Sequence, residues 1–401
     1  MKILVIAHRV PYPPNKGEKL RTFHQLEHLV ELGHSISLIA PLHQASDEND
    51  AIGLTKALGI KVQTCALSNK YLRFAKALLT GRSLSEANFV SPAVSALINA
   101  EVKDFAPNTI LVSASSLIPY VSNKGSARYS ANILTDFMDV DSNKWQQYQA
   151  KSGFPMAMVY KREAKLIKAL EVEAAHVSSE CYLIAQAEVD LFKSEVSAIG
   201  NIRVLANGMN TDVFKAKPEL INHQQPSLLF TGVMDYKPNI DAVLWFVENC
   251  WSQVSDAFPS AELVIAGMNP SPAIQKLTSK GNIKVTGFVD DIMPYFQAAS
   301  VFVAPFQIAR GVQNKVLQAM ACEIPVVSTE RGIEGIVHKN GDDVLLAKDA
   351  KEFTAHCIAL LNDQAMAQEI GGKARQTIVD HYAWPEVLKP LTEQLSGDHK
   401  L

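Results

Sequence analysis

No CxxC pair and no GxGxxG turn occur in this 401-residue chain. No apolar run approaches the ~20 residues that span a bilayer. Its five cysteines, Cys65, Cys181, Cys250, Cys322 and Cys357, are scattered singly. That pattern excludes a thiolate metal cluster and a disulfide framework, and it reads as small buried hydrophobes in a reducing compartment. A basic excess is also missing. The formal net charge is -3, which argues against nucleic acid as a partner, because binding a phosphate backbone needs a cationic face. Aromatic residues make up only 7%. There is no short-period repeat and no low-complexity segment. The opening MKILVIAHR has an apolar run of five residues followed by His8, Arg9 and a proline cluster, so it reads as a buried first strand rather than a leader. A cytoplasmic protein, or one lying on a membrane surface, is expected.

What the chain does contain is alternation. With 47% hydrophobic and 20% charged residues, it has the composition of a globular protein too long for one core, and two domains are expected. Short apolar runs at 3–7, 35–40, 60–66, 109–113 and 132–136 alternate with helical patterns. One of these, 19–32, carries Leu20, Phe23, Leu26, Leu29 and Val30 on one face. A long helix over 156–173 leads through 177–179 to another that runs to Phe192. The polar stretch 215–227, with two prolines, reads as a linker. The pattern then restarts, with strands at 228–231, 262–266, 283–285, 301–304, 325–328 and 344–347. Helices follow at 240–254, 314–320, 352–362 and 365–382. The fold class is therefore α/β, with two doubly wound Rossmann-like domains facing a central cleft. The expected boundaries are 1–210, 211–384 and a terminal helix and tail, 385–401. Charge is unevenly shared: residues 1–205 hold 22 Lys and Arg against 19 Asp and Glu, and the rest hold 16 against 22. The first half therefore suits an anionic surface or ligand better.

Ligands in such sheets bind beyond the carboxyl ends of the strands. After the first strand, a proline-rich loop ends in Lys16-Gly17 just before a helix, where Gly17 would admit a phosphate to free amide groups, or would serve as an ordinary flexible turn. After the first strand of the second domain, FTGVMDYKPN places Gly232 at the strand end and Lys237 at a helix start. Lys237 reads as a diphosphate-holding point charge or as a solvated surface lysine. Gly267 closes VIAG, and Gly287-Phe288-Val289 closes the next strand; both read as pocket rim or as turns. In APFQIARGVQNKVLQAMACEIPVVST, an irregular loop through Arg310, Gly311 and Val312 enters a helix at Asn314-Lys315, offering amide groups and a cation to an anion. Gln318 lies one turn on, placed to reach a ribose hydroxyl.

That last segment resembles the donor-binding signature of GT-B glycosyltransferases of family 4. VLANGMNTDVF, TGVMDYKPN, LVIAG, GFVDDIMPYFQAASVFVAPF and HYAWPEVL resemble further family segments, in the expected order across residues 1–390. PYPPNKGEKLRTFHQL and DFMDVDSNKW are similar to a subgroup associated with exosortase-linked exopolysaccharide systems. The resemblance implies an acceptor-side first domain, a nucleotide-sugar-binding second domain and a terminal helix crossing back to the first. It also implies a retaining hexosyltransferase that takes a nucleotide diphosphate sugar as co-substrate and needs no metal or other cofactor. The acceptor would be lipid-linked or a saccharide. Lys237, Asp139 and Asp141 are its expected catalytic residues. The donor would be held by Gly17, Gly232, Gly267, Phe288, Val289, Arg310, Gly311, Val312, Asn314, Lys315 and Gln318.

Two departures stand out. The family's paired glutamates map onto Arg310 and Gln318, and Gln318 loses the charge-assisted bond to a ribose. Asp139 and Asp141 either contact substrate or cap the helix that follows. The segment 67–82 holds Lys70, Arg73, Lys76 and Arg82 and no acid, with Leu67, Tyr71, Phe74, Leu78 and Leu79 beside them. It reads as a membrane-surface helix or as a core-facing helix with a solvated basic face. A nucleotide-sugar epimerase and a non-catalytic partner subunit remain the alternatives to transfer.

Overall fold

The computed structural model describes residues 1–401 except 16, 124, 197–200, 309–311 and 398–401. The chain forms two compact units, Met1–Gly208 with Val387–Leu401, and Met209–Glu386.

The first unit is built on seven parallel strands: β1 (Lys2–Ile6), β2 (Ser35–Leu42), β3 (Lys61–Ala66), β4 (Thr109–Val112), β5 (Asn132–Met138), β6 (Glu180–Leu183) and β7 (Asn201–Val204). Their spatial order is β3-β2-β1-β4-β5-β6-β7. The direction of winding reverses between β1 and β4, where Leu4 pairs with Ile110 and Val5 with Leu111. Helices cover both faces, so the central strands are buried and read as unbroken apolar runs; all four residues of β4 are buried. Strand β7 has no such run. It lies at the sheet edge with Asn201 exposed and the rest half-buried, which is why it escaped the sequence reading. The long helix extends to Val177 rather than ending at 173. The chain returns to this unit through the helix Lys389–Ser396, which buries Leu391 and Leu395. There, the Arg203 guanidinium donates to Glu393 at 2.7 Å, and His28 meets Thr392 at 2.9 Å.

The second unit holds β8 (Ser227–Thr231), β9 (Glu262–Ala266), β10 (Ile283–Gly287), β11 (Val301–Ala304), β12 (Val326–Ser328) and β13 (Leu345–Leu346). All are parallel, in the order β10-β9-β8-β11-β12-β13. This is the same winding scheme again. The helix expected over 240–254 begins earlier, as Lys237–Phe246, and continues through a π-helical turn, Val247–Trp251, into Ser252–Ala257. The polar stretch 215–227 lies inside this unit. The unit already starts at Met209, whose amide donates to the Tyr382 carbonyl at 2.6 Å. Arg375 reinforces that start by donating to the carbonyls of Phe214 at 3.0 Å and Thr211 at 3.2 Å.

One buried ion pair ties the first unit together. Arg21, in the helix Gly17–Glu31, is 1% exposed, and its Nε and Nη2 donate to the two Asp136 oxygens at 2.6 and 2.8 Å. Gln25 also donates to Asp136, at 2.6 Å. The remaining Arg21 nitrogen donates to the Leu205 carbonyl and to Asn207 Oδ1. Strand β5, the first helix and the segment after β7 are thus joined by one guanidinium. Removing a single partner of such a pair leaves an uncompensated charge, at a cost of about 3–5 kcal/mol. Arg21→Ala should therefore lower the stability of the first unit by that amount in chemical denaturation; a loss below about 1 kcal/mol would show that the pair is incidental.

Candidate functional site

In the second unit, the carboxyl ends of the central strands approach each other unusually closely. Gly232 follows β8 and Gly267 follows β9, and a Cβ on Gly267 would lie 1.7 Å from the Gly232 carbonyl oxygen. Only glycine fits there. A Cβ on Gly232 would come within 2.7 Å of Asn239 Nδ2 and 2.9 Å of Lys315 Nζ. The backbone is therefore pressed against a cation.

That cation is half-buried. Lys315 stands in the first turn of the helix Asn314–Ala321. Its Nζ donates to Asn239 Oδ1 at 2.7 Å and lies 5.1 Å from the Phe230 ring centroid and 4.9 Å from that of Phe306. Asn239 is 4% exposed and is held in turn by donating to the Val233 carbonyl at 2.9 Å. Among the described residues, no carboxylate pairs with Lys315. Burial alone lowers its pKa from 10.5 to about 8, since the charged form is disfavoured away from water. Ring faces and an amide oxygen moderate that cost without removing it. Lys315 thus stands as a desolvated cation lacking an anion. Gln313 gives its helix no side-chain cap, so the first amide groups of that helix add partial positive charge beside it.

Lys237 is placed differently. Its side chain is 83% exposed, and it pairs with Asp241 at 3.0 Å, one turn along its own helix. The lysine drawn into the fold at this end of the sheet is Lys315, with Asn239, Phe230 and Phe306 as partners that sequence reasoning missed. Asn239 could have been noticed as a buried-type amide directly after Pro238. The two rings are separated in sequence and could not. Phe288 is exposed beyond β10 and Val289 is half-buried; Val312 and Asn314 are exposed; Gln318 is half-buried. Val312 touches the position where a Gly335 Cβ would sit, at 3.2 Å. Arg310 and Gly311 lie outside the described residues. Val233, Tyr236, Met268, Phe288, Ile308 and Val312 are all large apolar residues left exposed at this end of the sheet. A separate cavity of about 310 Å³ lies at the amino ends of the same strands, lined by Ile221, Phe296, Cys322 and Leu360 among others. It is away from Lys315 and offers no comparable charge.

The residues 225–363, which contain this site, match a known family model. That model describes glycosyl transferases group 1. The chain is also 22% identical to an uncharacterized 44.6 kDa protein in the cps region of Klebsiella pneumoniae, over 98% of this chain and 99% of that one. A solved glycosyltransferase from Rickettsia africae ESF-5 superposes with a TM-score of 0.60 at 14% identity, covering 100% of this chain and 98% of the other. Anabaena Alr3699/HepE in complex with UDP gives 0.59 at 14% identity, covering 99% and 100%. These likenesses establish the GT-B fold, with two Rossmann-like parallel sheets.

The first unit has its own polar cluster, at the carboxyl ends of β1, β4 and β5. His8 donates its amide to Ser113 Oγ at 3.3 Å, and its Nδ1 lies 3.2 Å from the same oxygen. Met138 ends β5 with φ 65°, a conformation that bulky residues rarely adopt and that often marks functional positions. Asp136 Oδ1 fixes it by accepting from the Met138 amide at 3.2 Å. Beyond this bend, Asp139 is exposed and Asp141 pairs with Lys144 at 3.5 Å. Burial pushes the Asp141 carboxyl upward, with Lys144 opposing. Neither aspartate caps the next helix. Val140 donates its amide to Glu188 at 2.9 Å and Ser142 donates to Glu171 at 2.9 Å, so the capping alternative falls away. Burial raises Glu171 to about 7. Gly17 is exposed, and a Cβ there would meet nothing within 4 Å, so no close approach requires that glycine. No group of three metal-type ligands occurs among the described residues.

The half-buried ammonium makes ligand-free stability depend on pH in a defined direction. Its cost is fully present below about pH 8 and disappears as the pH rises toward 10.5. In urea denaturation, the wild type should gain stability between about pH 7.5 and 9.5 relative to Lys315→Met, which lacks the titrating group. Parallel profiles for the two proteins would show that Lys315 is not buried as a cation.

Proposed function

We propose that this protein transfers a sugar from a nucleoside diphosphate sugar to a hydroxyl of a lipid-linked or saccharide acceptor in polysaccharide synthesis. The observation that carries this reading is the Lys315 ammonium, partly desolvated and without a carboxylate partner among the described residues, at the first turn of a helix in the region that matches the glycosyl transferases group 1 model. As the glycosidic bond breaks, negative charge grows on the departing diphosphate. A desolvated ammonium and helix amide groups already in place stabilise that charge more than water does. The close approach of Gly232 brings backbone to the same spot. Gln318 lies one turn further along, half-buried, with its amide available to a ribose hydroxyl. A neighbour of the same fold was solved with UDP, which makes a uridine diphosphate sugar the first donor to test. The relative in a cps region supports a polysaccharide product. The resemblance to family 4 supports retention of configuration, and the exosortase-linked subgroup supports an exopolysaccharide. Positive charge from Lys315 and the helix start serves where other transferases use a metal. On the acceptor side, Asp139 and Asp141 orient the attacking hydroxyl. The reaction is assigned to the cytoplasm, where nucleotide sugars are available.

Removing one donor aimed at developing charge costs about 10²–10³ in turnover. Lys315→Ala should therefore reduce the rate of UDP release in the presence of acceptor by about 100-fold or more, and Lys237→Ala by less than about threefold. UDP affinity should fall as the pH rises through about 8, where Lys315 loses its proton, and Gln318→Glu should tighten UDP binding. The reverse ranking of the two lysines would restore Lys237 as the diphosphate-binding group. A new sugar nucleotide formed without acceptor would indicate an epimerase instead. No UDP binding by the wild type or by Gln318→Glu would indicate a non-catalytic partner.

A further inference from the structure

Seven of the twenty large apolar side chains that are exposed among the described residues fall within 67–82 and 151–162. These two segments belong to the first unit. In the helix Lys70–Thr80, Tyr71 is 81% exposed, Leu72 70%, Leu78 56% and Leu79 89%. Spacings of one, seven and eight residues, about two helical turns, put them on one stripe, and that stripe faces solvent. The opposite side, with Ala77 buried and Phe74 half-buried, packs on the body of the unit. The helix is therefore oriented opposite to an ordinary amphipathic surface helix, whose apolar side faces inward.

The second segment adjoins the first. Arg162 Nη2 donates to the Arg82 carbonyl at 2.7 Å and to that of Ala77 at 3.4 Å. The neighbouring Glu163 accepts from the amides of Leu84 and Ser85, at 2.8 and 3.2 Å. The turn before this anchor carries Phe154, 84% exposed, and Met158, 64% exposed. Across both segments there are seven Lys and Arg residues and no Asp or Glu. Arg73 is committed to the carbonyls of Ala87 and Asn88, at 2.9 and 3.2 Å. Lys76, Lys151 and Lys161 are exposed around the apolar stripe.

From this surface we propose that residues 67–82 and 151–162 form one docking face for an anionic phospholipid bilayer, with the leucines, Phe154 and Met158 entering the acyl boundary and the lysines meeting the headgroups. The chemistry matches on both counts: apolar side chains that protrude from a convex helix, and cations unrelieved by acids. A second copy of the chain is a poor occupant, because a self-complementary contact would set seven cations against seven. The inference is independent of the proposed reaction, since lipid binding is read without donor or acceptor.

The test is co-sedimentation of the full chain with phosphatidylcholine vesicles and with vesicles that also contain about one-third phosphatidylglycerol. Binding is expected only to the anionic vesicles, and it should weaken as salt rises. Each basic residue near such a surface contributes about a fivefold factor. Lys76→Glu with Lys151→Glu should therefore reduce binding about tenfold or more. Leu79→Ser with Phe154→Ser should do so as well, while UDP-dependent or urea-induced transitions stay as in the wild type. Absence of binding to anionic vesicles, or equal binding by the variants, overturns the proposal. So does a dimer of the wild type that the Leu79→Ser, Phe154→Ser variant abolishes.

Discussion

A partly desolvated lysine, with no carboxylate partner among the described residues, sets the terms for the second unit. Lys315 sits between Phe230 and Phe306 and against Asn239, and burial works against its proton. An arrangement of that kind persists only where the surrounding fold over-determines it. Four separate segments do so here: the end of β8, the helix Lys237–Phe246, the loop after β11 and the helix Asn314–Ala321. The same cost makes the site receptive. An anion that enters restores the missing partner, and one whose charge grows during reaction gains more than one whose charge is constant.

The glycines make this crowding feasible. The Gly232 carbonyl stands where a Cβ on Gly267 would be, so the two central strand ends meet backbone to backbone. Apolar residues from Val233 to Val312 are left exposed along the same edge. The first unit solves a different problem. Its central strand ends in Met138 with a left-handed φ, and Asp136, clamped by Arg21 and Gln25, holds that turn in place. Structural carboxylates, Glu171 and Glu188, take over the capping of the next helix, which leaves Asp139 and Asp141 for other work. The buried guanidinium is thus connected through Asp136 to the direction in which Asp139 and Asp141 project.

Much of the architecture was legible because parallel strands covered on both faces must be apolar throughout. Runs such as TILV and VFVA have few other readings. Strand β7 was not legible, because an edge strand with polar Asn201 and Arg203 lacks that signature. The glycines after β8 and β9 were recognised as strand-end residues, but nothing in their spacing told that their backbones touch.

The amino-acid sequence by itself determined two doubly wound sheets, the strand ends at which ligands collect, and a short roster of lysines and glycines near helix starts. It also determined that 67–82 is basic and amphipathic. Only the tertiary structure decided which lysine is drawn into the fold. Lys237 and Lys315 each begin a helix after a strand, and the difference lies in rings and an amide brought from distant segments. Only the tertiary structure turned the apolar stripe of Lys70–Thr80 outward, because helical periodicity fixes that a stripe exists and says nothing about which side the rest of the chain will cover.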